Sequence, residues 1–173
     1  LTMVLAALQV TERKCAHGLK VKAEGNGRVG GYLVAFGFPR DTHGEFFTGR
    51  TDFGMDYFDG PKRPVYYHHR QDGGEQVVRE EIGYIYKLLQ DDNGLYAEAQ
   101  LDMNNPYARR AYNEVLLGEI GWSSGSAPHL VDGTEDGEIT KWMLVEGSLT
   151  PDPAAGPRTT VYTVKFADVA PTQ

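Results

Sequence analysis

Serine is scarce in this chain of 173 residues: only four occur, and three of them fall in one hexapeptide, Gly121-Trp122-Ser123-Ser124-Gly125-Ser126. Cysteine is scarcer still. The single Cys15 excludes an intrachain disulfide, fits a reducing compartment, and reads as an incidental thiol in a polar stretch. No apolar run approaches the ~20 residues that a bilayer-spanning helix needs. The opening 1–8 segment is too short and lacks the basic start of a secretory signal, so with no initiator Met it reads as a trimmed end. There is no basic run, and the formal net charge is -7. That balance argues against nucleic acid as the main partner, because phosphate binding needs a positive surface.

What is present suits a packed globule. Hydrophobic residues make up 40%, enough for a core in a chain of one-domain length, so disorder is not expected. With 21 glycines and 9 prolines, turns should be frequent, which leans toward β structure.

Period-two alternation marks strands at 19–23, 31–38, 64–69 and 82–89. Asp91-Asp92-Asn93-Gly94 then reads as a hairpin turn whose Asn-Gly favours positive φ, followed by a strand over 95–102. One helix is expected near 106–117. Asn105 caps it, Pro106 takes the first position, Ala108, Ala111, Tyr112, Val115 and Leu116 form the apolar face, and Gly118 stops it. The chain re-enters strand through Ile120 and Trp122. A long strand over 139–149 and a last one over 160–166 complete the pattern, with 167–173 as a tail. No internal repeat is visible. The expectation is one domain of α+β class: a β-rich barrel or sandwich of about six to eight strands with one clear helix.

Three residue types stand out chemically. A serine flanked by glycines can sit on a tight turn with its hydroxyl in the open, although a plain Ser/Gly turn between strands has the same composition. Histidine supplies a base with pKa near ~6.5. Of His17, His43, His68, His69 and His129, the adjacent pair His68 and His69 lies in a strand, so the two face opposite ways and one can face a given site. A solvent-facing pair or a satisfied core histidine is the alternative, and ligand spacing for a metal is lacking. The acid could be Glu146, Asp72, Asp91, Asp92 or Asp152. Glu146 is set apart by its apolar neighbours Leu144 and Leu149, where a carboxylate is costly unless partnered.

In order and local context these segments resemble the prohead (capsid-maturation) serine proteases of tailed phages, a family sharing its fold with the herpesvirus assemblin proteases. The resemblance runs from about residue 31 to 157. Pro64-Val65-Tyr66-Tyr67-His68-His69 is similar to the family's proline, apolar run and catalytic histidine, in a register that favours His69. Ile82-Gly83-Tyr84-Ile85 and Asn93-Gly94-Leu95-Tyr96 resemble its Ile-Gly strand and Gly-Leu-Tyr hairpin. Gly121-Trp122-Ser123-Ser124-Gly125-Ser126 aligns with its nucleophile motif, which places Ser123 as nucleophile, with Ser124 and Ser126 where apolar residues are usual. Glu146-Gly147-Ser148-Leu149-Thr150 resembles its acid motif, with Pro151 and Asp152 displacing the Pro153-Ala154 pair.

The resemblance implies a barrel of the herpesvirus-protease type and a Ser123, His69 and Glu146 triad. Backbone N–H groups of Ser124 and Gly125 would serve as oxyanion donors. It implies no metal or organic cofactor, and scaffold and major capsid protein as substrates. It further implies self-cleavage, homodimers or higher oligomers, and a place inside the procapsid in the host cytoplasm, with neither nucleic acid nor membrane as partner. Two rival expectations are an inactive capsid or scaffold component of the same fold, and a β-rich binding module presenting Tyr66, Tyr67, Tyr84 and Tyr86.

Overall fold

The computed structural model describes residues 25–70 and 77–164, with the side chains of 69, 70, 77 and 78 left out. Cys15, His17, the expected strand at 19–23, Asp72 and the 167–173 tail lie outside the described residues. Among the described residues, nine strands and one α-helix follow in the order β1 (Arg28–Ala35), β2 (Arg63–Arg70), β3 (Val77–Gln90), β4 (Gly94–Leu101), α1 (Pro106–Leu117), β5 (Gly121–Gly125), β6 (Val131–Gly133), β7 (Ile139–Trp142), β8 (Glu146–Thr150) and β9 (Tyr162–Thr163). This is the expected β-rich α+β architecture.

Seven strands form one sheet in the order β5-β8-β2-β3-β4-β1-β9, and β6 and β7 form a separate ribbon. Neighbours in the large sheet are antiparallel except β2 and β8, which run parallel. The sheet curls until its ends meet. Gly121 of β5 bridges Thr160, just before β9, and the Val161 N–H donates to the Ile120 carbonyl at 3.2 Å. The enclosed side holds the core, including Val29, Leu33, Val65, Tyr67, Ile85, Leu95, Trp122 and Leu149, all essentially without solvent contact.

The helix forms where its ends are satisfied. Asn105 accepts the Tyr107 N–H at 2.9 Å, and Gly118 closes the last turn at φ 68°. Ala108, Ala111, Tyr112 and Val115 face the core, whereas Leu116 is 46% exposed and does not belong to the apolar face expected of it. Tyr67 of β2 donates to Glu114 Oε1 at 2.7 Å and ties the helix to the sheet. Burial and that carboxylate both push the phenol's pKa up.

Two local expectations need correction. The Asn93-Gly94 turn has no positive φ. Asp91 Oδ1 accepts the N–H groups of Asn93 and Gly94, and this side-chain turn replaces the left-handed one. Gly94 is instead needed because a Cβ there would overlap the Val34 carbonyl of β1. The single strand expected over 139–149 is two, because Met143, Leu144 and Val145 donate their N–H groups to Leu130, Phe53 and Gly125 in other segments. Of the last strand expected over 160–166, residues 165 and 166 lie outside the described residues; β9 covers Tyr162–Thr163, and the Val164 N–H continues the pairing by donating to the Arg28 carbonyl.

Candidate active site

The serine hexapeptide is strand, not turn: Gly121–Gly125 is β5, and none of its glycines has positive φ. Each residue of β5 faces one of β8, giving the pairs Trp122 with Leu149, Ser123 with Ser148, Ser124 with Gly147 and Gly125 with Glu146. Strand β8 in turn pairs with β2, matching Val65 with Gly147, Tyr66 with Ser148 and Tyr67 with Leu149. Trp122, Leu149, Val65 and Tyr67 are core residues. Alternation then assigns Ser123, Ser148, Glu146, Tyr66 and His68 to the opposite face, side by side on three adjacent strands.

Two glycines make this arrangement possible by absence of a side chain. A Cβ on Gly147 would press on Trp122, Ile85 and Leu33, so the glycine lets the indole lie over β8. A Cβ on Gly125 would overlap Glu146 Oε1, so the glycine leaves the space that the carboxylate fills.

On that face the polar groups are linked. Ser148 Oγ donates to Glu146 Oε2 at 2.6 Å and lies 3.2 Å from His68 Nε2. Ser148 is 1% exposed, closed in by its partners, whereas Ser123 is partly exposed. Arg79, the register partner of His68 on β3, extends the cluster: its Nη2 is 3.6 Å from Glu146 Oε2, and its guanidinium stacks on Tyr66 with Cζ 3.6 Å from the ring centroid. Burial pulls the His68 pKa below its ordinary value. Glu146 opposes that shift and Arg79 adds to it, and the net direction favours the neutral imidazole.

The structure thus brings together Glu146, an imidazole and a serine hydroxyl. The imidazole is that of His68; His69 lies beside it in β2, its side chain outside the described ones. The bonded hydroxyl is that of Ser148, with Ser123 directly across the β5–β8 ladder. Ser148 was visible only as part of the acid motif and received no role. Its spacing of two from Glu146 within a strand was the available signal. Arg79 carried no signal, because its place depends on the β2–β3 register and on a shift in that register between Val65 and Tyr66. Among the other acids considered, Asp91 is engaged by Tyr32 at 2.7 Å in the hairpin turn, far along the chain from this cluster.

Ser124 and Gly125 lie in β5, the edge strand beyond β8, where every second N–H of a regular ladder points to the open side. At that edge lies a cavity of about 110 Å³ lined by Ser123, Ser124, Trp122, Phe47, Trp142 and Arg158 among others. The tyrosines proposed for a binding surface do not share one. Tyr67 is buried in the core, and Tyr66 lies under Arg79.

No protein-family model matches the chain, and no curated protein matches it. Among solved structures, the chain is similar to KSHV protease in complex with a hexapeptide phosphonate inhibitor, at 16% identity and a TM-score of 0.43. The alignment covers 71% of this chain and 58% of that one, so the chain spans less than two thirds of that protease's length.

Proposed function

We propose that the chain is a serine endopeptidase, with Ser123 as nucleophile, His68 as general base and Glu146 as the acid that fixes the imidazole. The observation that carries this reading is the continuous contact from His68 through Ser148 to Glu146, with the more open Ser123 on the same face in the next strand. Ser123 is preferred over Ser148 as nucleophile because Ser148 is enclosed and its hydroxyl is already committed on both sides.

In the proposed reaction the Ser123 Oγ–C bond forms at a peptide carbonyl while His68 takes the hydroxyl proton, and the carbonyl π electrons move onto oxygen. The open-edge N–H of Ser124 or Gly125 would meet that oxyanion. The C–N bond then breaks, His68 gives its proton to the leaving amine, and water repeats the sequence to free the acyl group. The motif order supports the finer reading of a prohead-type protease acting on scaffold and shell protein and on itself. The test is incubation with scaffold or shell polypeptide, read by mass spectrometry of the products. Ser123→Ala should lower cleavage by roughly 10⁴–10⁶; unchanged cleavage by that variant would remove the assignment.

One observation favours a second reading, a non-catalytic component of the same fold. The Glu146 carboxylate bonds a serine hydroxyl where a working triad has the acid on the imidazole. The two readings separate on whether wild-type protein turns over any polypeptide.

A further inference from the structure

Ser148 occupies an unusual position for a hydroxyl beside a proposed catalytic base. It is almost fully enclosed, it is bonded on both sides, and both partners are groups with which the proposed chemistry is concerned. A serine hydroxyl has one proton. That proton goes to Glu146, whose carboxylate oxygen accepts it at 2.6 Å. The oxygen then offers His68 only a lone pair, so the contact at 3.2 Å requires a proton on Nε2. In a neutral imidazole that leaves Nδ1 as the accepting nitrogen.

We propose that Ser148 is a positioning residue that passes the influence of Glu146 to His68, fixing the imidazole as the Nε2–H tautomer, with Arg79 set 3.6 Å from the carboxylate oxygen that Ser148 bonds. The inference deepens the peptidase reading and rests on it for its functional meaning, but its structural content is independent of turnover.

The surroundings fit this role. Glu146 Oε1 fills the room left by Gly125, while Oε2 accepts from Ser148 and lies 3.6 Å from Arg79 Nη2. Arg79 is itself held flat against Tyr66. Among the described residues, the charged groups placed against His68 are Glu146 from β8 and Arg79 from β3, one of each sign. The register supplies all of it without a loop. Tyr66 and Ser148 are partners, as are Ser148 and Ser123, and His68 and Arg79. A hydroxyl can accept from an imidazole N–H and donate to a carboxylate at once; alanine at 148 breaks the link and threonine keeps it.

The experiment has two arms on the full chain. In the first, ¹⁵N spectra of the histidine rings at a pH above the His68 pKa give the tautomer directly, with no need of activity. Wild-type protein should show His68 as Nε2–H. Ser148→Ala and Glu146→Gln should both shift it toward a mixture or toward Nδ1–H, Ser148→Thr should restore the wild-type signature, and Arg79→Gln should raise the His68 pKa. In the second arm, on a cleaved substrate, Ser148→Ala should lose about 10²-fold in kcat with KM little changed, as expected when a base is misplaced and not removed; Ser148→Thr should recover most of that loss. His68 found as Nδ1–H in the wild type, or unmoved by Ser148→Ala, overturns the proposal, as does wild-type kcat in that variant. Should Ser148→Ala not fold, Glu146→Gln and Ser148→Thr carry the same comparison. A protein with the Nε2–H signature but no turnover sinks the peptidase reading alone and leaves the positioning of His68 by Ser148 standing.

Discussion

Glu146 lies over Gly125, its carboxylate filling the space where a side chain at that position would begin. The glycine of the serine cluster is therefore a receptacle for the acid, which explains a residue whose backbone has no unusual φ. Gly125→Ala should push Glu146 away from Ser148. The expected outcome is a loss of the proposed peptidase activity of about 10²-fold with the fold retained, checked by kinetics beside circular dichroism. A variant with normal activity would mean that the carboxylate's place is immaterial.

His68 gives a pH dependence with a defined sign. Its folded pKa lies below the ordinary value, so the unfolded chain binds this proton more readily. The contribution to stability is thus highest above the ordinary value of ~6.5, falls as pH drops through it, and levels off below the folded pKa. Activity that needs neutral imidazole should persist somewhat below pH ~6.5. Urea denaturation across pH 5–8, comparing wild type with His68→Gln, checks the first, because the variant should lose that part of the slope.

Gly83 explains the Ile-Gly pair in physical terms. A Cβ there would overlap the backbone carbonyl of Gln100 on the neighbouring strand, a group that cannot swing aside. Gly83→Ala should cost roughly 1–3 kcal/mol, as overpacking does, measurable as a lower denaturation midpoint. The change should leave the site chemistry intact in whatever fraction remains folded.

Trp122 fills the core next to the site and is wholly buried. Trp122→Ala should cost about 3–5 kcal/mol and loosen β5 against β8, so both stability and activity should fall. Gly147→Ala, whose Cβ would lie 3.1–3.3 Å from Trp122, Ile85 and Leu33, should cost less, since it tightens side-chain contacts and removes none.

How legible this was depended on whether a signal was local. The α1 helix and the β3–β4 hairpin were readable because caps, alternation and turn residues sit within a few positions of one another. The break at 143–145 was not. Met143 and Leu144 are as buried as strand residues, but their backbone partners come from segments more than ten residues away. The serine cluster looked like a turn because glycine beside serine has two physical uses, and only the register with β8 shows that close approach is the one in play. Ser123 and Glu146 stood out in the sequence by residue type and context. Which of the two adjacent histidines shares their face did not, since alternation says that the pair faces opposite ways without saying which faces Ser148.

The central claim is that Ser123 is an activated nucleophile beside this imidazole and carboxylate. The most direct measurement is labelling of the wild-type chain with a fluorophosphonate, followed by mass spectrometric mapping of the modified residue. The expected result is a single adduct on Ser123, absent in Ser123→Ala and much reduced in His68→Gln. No adduct on the folded wild-type chain, or an adduct on Ser148, would contradict it.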